Sequence, residues 1–186
     1  MIVEKFLAQS ALPELIRGFP ALRRHGSFPY SAKDSSPAFR QLAAELEGPE
    51  LRDVIQEKFA IDLAGRPTMI TLRGHSDDRD GHIHTDSETK LITLLLYMNP
   101  EWEGEAGRLR LLRSADDLED FVAEVPPLAG MMVAFRRSAH SFHGHHPHIG
   151  ERRSIQLNWL CNTRTARREL SRHRWSARLK ALNPFS

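Results

Sequence analysis

His84-Thr85-Asp86 sets an imidazole and a carboxylate two residues apart. In an extended segment, residues i and i+2 project to the same side, so both donors can bind one face of a metal ion. A third donor must come from elsewhere in the fold. Six of the ten histidines fall in two clusters, His82 and His84, then His143, His145, His146 and His148. Two histidines and one carboxylate leave three positions open on an octahedral ion, the donor set of non-haem iron(II) centres. Zinc favours three histidines or thiolates, and no cysteine lies near His84. A His-x-Asp step by itself is common in solvated loops, so its meaning depends on the downstream sequence.

The elements that must position these donors can be read along the chain. Residues 1–66 read mainly as helix, a support for the strands after them. Ser36-Pro37 opens a helical segment from Ala38 to Leu46. Gly48-Pro49 punctuates it, and Leu51 to Phe59 continues with Leu51, Val54, Ile55 and Phe59 on one face. From Thr68 to Cys161 the pattern changes to short strands, at Met69–Leu72, Leu91–Met98, Leu109–Leu112, Met131–Phe135 and Ile155–Leu160, with Gly- and Pro-bearing turns between them. A short helical insert is expected from Ser114 to Phe121. Arg164 to Leu182 reads as a basic helix, with Pro184 just beyond. Many short strands separated by such turns argue for a sandwich or jelly roll.

The strand ending at Leu160 has two unlike faces. Arg152, Ser154, Gln156 and Asn158 point one way, and Arg153, Ile155, Leu157 and Trp159 the other. The apolar face can pack under the N-terminal helices, and the polar face is expected to line a cavity. Tyr97 closes the apolar strand after the His-x-Asp step and shares a face with Thr93 and Leu95.

Met69 to Leu160 resembles the 2-oxoglutarate and Fe(II)-dependent oxygenases of the prolyl-hydroxylase-like group. The resemblance is carried by His84-Thr85-Asp86, Leu96-Tyr97-Met98-Asn99, Gly107-Arg108-Leu109-Arg110-Leu111 and Pro127 to Phe135. Ser141-Phe142-His143-Gly144-His145 and Gly150-Glu151-Arg152-Arg153-Ser154-Ile155 complete the order. It implies a mainly β fold with flanking helices, a double-stranded β-helix of jelly-roll or cupin-like form. On this reading 1–186 is one domain: 1–66 the helical N-terminal support, 67–162 the double-stranded β-helix core and 163–186 the C-terminal basic helix.

The resemblance also implies the site. His84, Asp86 and His143 would hold Fe(II). In relatives a His-Gly step carries the distal ligand, with an arginine nine or ten residues on, and Arg152 lies nine residues after His143. His140 and His145, twelve and seven residues before Arg152, are the competitors. The far carboxylate of 2-oxoglutarate needs a fixed cation, and the planar guanidinium fork suits a carboxylate. Arg152 with Ser154 matches that pattern, Tyr97 is a further contact, and Arg153 is the alternative on the opposite face. The implied reaction couples decarboxylation of 2-oxoglutarate to succinate and CO2 with hydroxylation of a small-molecule or peptidyl substrate. Fe(II), 2-oxoglutarate and O2 are required, with ascorbate as an accessory reductant. The polar segment Arg73 to Gly81, just before the metal motif, is either a cover for the site or a solvated turn. A cupin-like binding protein without oxygenase activity is the rival reading, and it has no use for Arg152 and Tyr97.

Composition restricts the remaining classes. The chain has 186 residues, 40% of them hydrophobic and 27% charged, with a formal net charge of +2. That bounds one domain with a real core and does not by itself suggest nucleic acid. The seven basic residues from Arg164 to Lys180, against Glu169 alone, read as a solvated helix face, with Leu170, Trp175, Leu179 and Leu182 as a stripe that docks it. A single cysteine gives no sign of an oxidising compartment. The longest apolar run, Leu94 to Met98, is too short to span a bilayer. The expected setting is cytoplasmic, with no membrane partner and no nucleic acid.

Overall fold

The computed structural model describes the backbone of residues 1–182 and the side chains of residues 1–172 and 175. In chain order the elements are β1 (Ile2–Val3), α1 (Leu12–Arg17), β2 (Phe28–Pro29), α2 (Pro37–Leu46) and α3 (Pro49–Phe59). After them come β3 (Thr68–Ser76), β4 (Lys90–Tyr97), β5 (Leu109–Leu112), β6 (Phe121–Val125), β7 (Met132–Arg136), β8 (His143–Gly144), β9 (Gly150–Leu160) and α4 (Thr163–Leu182). The strands form two antiparallel sheets, a larger one in the order β1-β7-β4-β9-β3-β2 and a smaller one in the order β6-β5-β8.

Strict alternation gives the larger sheet two working faces. Ile70 and Leu72 of β3, Ile92, Leu94 and Leu96 of β4, Met132 and Ala134 of β7, and Ile155, Leu157 and Trp159 of β9 share one core with Phe39, Leu42, Leu46 and Ile55 of the helices. Each such side chain, taken out of water, contributes about 1.5–3 kcal/mol. The other face meets the smaller sheet, where Tyr97, Val133 and Phe135 pack against Leu109 and Val125. β4 is apolar along nearly its whole length because both of its faces are covered.

The helices start as their sequence dictates. Pro37 and Pro49 occupy first-turn positions, and the Ser36 Oγ accepts from the Phe39 N–H at 3.2 Å. α3 presents Ile55 to the core and leaves Val54 exposed, so the expected four-residue stripe is narrower than read from spacing. The stretch 1–66 is helical only in α1, α2 and α3, with a 3-10 turn at Ala32–Asp34. The rest is turns and irregular chain with two short strands that serve the sheet. β1 pairs with β7 and β2 with β3, closing both edges of the larger sheet. Pro29 is tolerated in β2 because an edge strand has one unpaired side.

The helix expected from Ser114 to Phe121 is absent. The Asp117 carboxylate accepts from the Glu119 N–H at 2.8 Å, and Arg113 and Asp120 pair across the connection at 2.9 Å. Side chains that capture nearby backbone groups favour a turn over a helix. The segment becomes the β5–β6 loop, and β6 comes next as a strand that apolar spacing does not mark. β3 and β9 are also longer than their apolar cores, because Arg73 to Ser76 and Gly150 to Ser154 continue the pairing as polar strand. Along α4, Ala166 and Leu170 pack against Met69 and Leu160, but Trp175 is exposed. Leu179, Leu182 and Pro184, expected in the docking stripe or just after it, lie outside the described side chains.

Asn99, in the turn after β4, ties the sheet's end together. Its Nδ2 donates to the Pro127 carbonyl at 2.5 Å and its Oδ1 accepts from the Arg153 N–H at 2.8 Å, all with 3% of the residue exposed. Asn99→Ala leaves two buried backbone groups unpaired and should destabilise the fold by about 2 kcal/mol or more, read as a lowered midpoint in urea unfolding.

Candidate metal centre and cosubstrate pocket

His84 lies outside the named strands, yet its backbone is fixed. His84 and His143 exchange both of their backbone hydrogen bonds, at 3.1 and 3.0 Å, as an isolated antiparallel bridge. The bridge brings the two rings to 4.4 Å between centroids. Asp86 then projects to the same side as His84, as the i, i+2 rule requires. One ligand atom from each of His84, Asp86 and His143 lies within 4.8 Å of the others.

The donor atoms are prepared for a cation. The Nδ1 of His84 sits 2.8 Å from the His82 carbonyl, and that of His143 lies 3.0 Å from the Ser141 carbonyl. A carbonyl only accepts, so Nδ1 carries the proton in both rings and the Nε2 lone pair is left for an ion. Burial, reinforced by the charge of His84, pushes the His143 pKa down to about 4, so the ring is neutral near pH 7. Burial alone would raise the Asp86 carboxyl. The Lys90 ammonium at 2.6 Å and a short hydrogen bond from the Thr93 hydroxyl outweigh it and hold Asp86 below the usual carboxylate range. Thr93 is oriented in turn by the Asn158 Nδ2, 2.8 Å away. The neutral His143 ring, the His84 ring held by its Nδ1 contact and an ionised, braced carboxylate fit a divalent iron ion.

The same three residues open onto a cavity of about 290 Å³ between the sheets. Its floor is the polar face of β9 with its neighbours. Cross-strand pairing sets Arg73, Ser154 and Tyr97 in one row, Thr71, Gln156 and Leu95 in the next, and Met69, Asn158 and Thr93 in the third. Thr93 puts the third row at the metal end. Arg152, beside the first row, is 5% exposed. Its Nε donates to the Gly107 carbonyl at 2.8 Å, its Nη2 lies 3.4 Å from the Tyr97 hydroxyl, and its guanidinium carbon is 5.3 Å from the Tyr97 ring centroid. No carboxylate among the described residues pairs with it. A buried guanidinium without an anion is costly, and it faces a cavity that could admit one. Arg153 points to the opposite face, stacked over Phe19 and paired with Glu151 at 2.5 Å, so it is not a pocket residue.

Of the competing histidines, His140 is exposed and outside the cavity. His145 does line it, but near Arg152 and not in the group that could hold a metal ion. Its burial, with the neighbouring Arg152 charge, lowers its pKa to about 3. Sequence reasoning gives Lys90 and Thr93 no part in bracing Asp86, and it names Arg73 only within a possible cover and His145 only as a competing ligand. The signal for two of them exists, since Thr93 shares the Tyr97 face and both Lys90 and Thr93 come soon after Asp86. The Arg73 to Gly81 segment is neither a plain solvated turn nor a full cover. Arg73, Arg79, Asp80 and Gly81 line the pocket, while Asp77 is engaged with Arg79 and His25.

Residues 70–160 match the family model of the 2OG-Fe(II) oxygenase superfamily. Residues 70–160 thus carry a 2OG-Fe(II) oxygenase domain. Among curated proteins no sequence matches it. Its fold is similar to that of a prolyl-4-hydroxylase from Pseudomonas putida, at 21% identity and a TM-score of 0.64, over 86% of this chain and 91% of the other. It is also similar to a viral collagen prolyl hydroxylase from Paramecium Bursaria Chlorella virus-1 in complex with 2OG, at 14% identity and 0.58, over 86% and 93%. HygX from Streptomyces hygroscopicus with nickel and 2-oxoglutarate bound aligns at 12% identity and 0.59, over 88% and 81%. No helix among the described residues is long and apolar enough to cross a membrane.

Thr93→Val removes the brace on Asp86 while keeping the side chain's shape. It should weaken Fe(II) or Mn(II) binding by about 10- to 100-fold, measured by metal titration. The two depressed histidines carry a pH signature of their own. Each binds its proton more weakly folded than unfolded, so their contribution is complete above the unfolded pKa of about 6.5 and is lost as pH falls toward 4 and 3. The metal-free protein should therefore lose thermal stability below about pH 6.5, and His143→Gln/His145→Gln should flatten that fall.

Proposed function

We propose that the chain is an Fe(II)-dependent dioxygenase that couples decarboxylation of 2-oxoglutarate to succinate and CO2 with hydroxylation of a small-molecule or peptidyl substrate. The observation that carries the reading is the buried Arg152 guanidinium, without an anionic partner among the described residues, sharing one cavity with His84, Asp86 and His143. A metal-binding protein with no cosubstrate has no need of such a cation. The strand order supports reading the two sheets as the walls of a double-stranded β-helix. On that reading 1–186 is one domain, with 67–162 the barrel, 1–66 its support and 163–186 the C-terminal basic helix.

His84, Asp86 and His143 are the residues that would hold iron, and all three line the cavity. Iron, when bound, would supply the redox chemistry toward O2, with 2-oxoglutarate as the source of electrons and ascorbate as an accessory reductant. The residues of the chain do the rest. Arg152, with Ser154 and the Tyr97 hydroxyl, fixes the far carboxylate of 2-oxoglutarate, and so determines where its 2-oxo acid end lies relative to the ligands. Leu95 and Gln156 line the cavity between those two ends. Tyr97, wholly buried, has its hydroxyl pKa raised by burial, so it stays protonated and can donate to a carboxylate.

His84→Ala and Asp86→Ala should each abolish formation of succinate by the iron-loaded protein while far-UV circular dichroism is retained. Arg152→Ala should raise the 2-oxoglutarate concentration required by roughly a hundredfold, the effect of losing a bidentate charged pair, and Arg152→Lys should restore only part of it. If wild-type protein loaded anaerobically with iron neither binds 2-oxoglutarate nor forms succinate in air, the oxygenase reading fails.

A further inference from the structure

Ser154 stands between two cross-strand neighbours, Tyr97 on β4 and Arg73 on β3. Arg73 is thus in the same row as the residues assigned to the far carboxylate, on the side away from Tyr97. It lines the cavity together with Arg152 and Ser154. Its charge acts on Tyr97, Arg152 and His145. Two guanidinium groups therefore converge on one end of the pocket, where a single one would leave room for apolar lining.

Like charges held this close need something to keep them there. Asp80 does so, its Oδ1 accepting from the Arg73 Nη1 at 2.5 Å and its Oδ2 accepting from the Asp77 N–H at 3.0 Å. One Nη of Arg73 is engaged in this way. Among the described residues nothing accepts from its other guanidinium N–H groups. Asp80 itself is positioned by the segment leading to His84. The next residue, Gly81, accepts from the His145 N–H at 2.9 Å, and a Cβ at Gly81 would lie 2.3 Å from the His145 carbonyl. Arg73 is thus braced by Asp80 at the pocket wall and has guanidinium donors left over.

We propose that Arg73 is a second cosubstrate-positioning cation, placed so that the far carboxylate of 2-oxoglutarate lies between its fork and that of Arg152. This rests on the oxygenase reading and on the assignment of Arg152. A carboxylate has two oxygens and about four acceptor sites, enough for Arg152, Arg73 and the hydroxyls of Ser154 and Tyr97 together. Asp80 orients Arg73 and offsets one positive charge while the pocket is free of cosubstrate.

The test compares 2-oxoglutarate with 2-oxopentanoate, which has the same 2-oxo acid end and chain length but a methyl group in place of the far carboxylate. Affinities are measured anaerobically by calorimetry on Mn(II)-loaded protein, so turnover plays no part. Wild type should bind 2-oxoglutarate much more tightly than 2-oxopentanoate. Arg73→Gln should weaken 2-oxoglutarate by about tenfold, as expected for one charge-assisted hydrogen bond, and leave 2-oxopentanoate unchanged. Arg73→Lys should recover part of the loss. Should Arg73→Gln fold poorly because Asp80 is left unpaired, Arg73→Gln/Asp80→Asn removes both charges and should show the same change in preference. Equal weakening of both ligands, or an unaltered preference, would overturn the role of Arg73. Wild type that failed to prefer 2-oxoglutarate would instead overturn the oxygenase reading beneath it.

Discussion

β9 is a central strand with two buried faces, one apolar and one polar, and that constraint organises the rest of the molecule. Ile155, Leu157 and Trp159 can only be satisfied by a hydrophobic layer, which the N-terminal helices supply. Arg152, Ser154, Gln156 and Asn158 can only be buried if each polar group finds a partner or a ligand. Gln156 donates to Asn158, Asn158 donates to Thr93, and Thr93 donates to Asp86. A chain of hydrogen bonds between neutral side chains thus runs from the strand to the Asp86 carboxylate. At the other end of the strand the chain of partners stops at Arg152, whose charge has no counter-ion among the described residues. The site is where the polar face of one strand runs out of protein partners.

The metal group adds a second constraint, proximity without a long strand. β8 has two residues and His84 belongs to no named strand, yet a single bridge of two backbone hydrogen bonds sets their side chains next to each other. Each ring is then locked by a carbonyl two residues away in sequence. Local contacts fix orientation, and one non-local contact fixes distance. Binding of a cation requires little reorganisation from such an arrangement, since the rings already have the correct tautomer and Asp86 is already ionised.

Much of this is legible in the sequence, and the remainder is hidden for physical reasons. The two faces of β9 come from period-two alternation alone, and the structure separates Arg152 from Arg153 as that alternation predicts. His84 and Asp86 are readable because their geometry is local. The third histidine is less local: five candidates lie in nine residues, the spacing to Arg152 favours His143, and the bridge to His84 places its ring beside the other two donors. The helical reading of 1–66 fails where the segment's role is to close sheet edges, a non-local demand that leaves no periodicity in two-residue strands. The β5–β6 loop escapes because Asp117 and Arg113 act through side-chain hydrogen bonds that override a marginal helical pattern. Arg73 is hidden for a similar reason. A charged residue at the end of a strand reads as solvated unless the register of its neighbour is known.

The segment from Arg73 to His84 shows why those local and non-local demands cannot be separated here. It leaves β3 at the cosubstrate end of the pocket and delivers His84 at the metal end, so any displacement of it moves both. Arg73 and Asp80 pin its start, and Gly81 pins its middle against His145, at a φ of +97° and with no space for a Cβ. The bridge to His143 pins its end. His145 in turn is two residues from His143 and beside Arg152. A circuit of contacts therefore joins His84, Asp86 and His143, the candidate ligands, to the end of the pocket containing Arg152, Ser154 and Tyr97. The distance between the two ends of the pocket is set by packed backbone, and a rigid span of that kind can select a ligand by length as well as by charge.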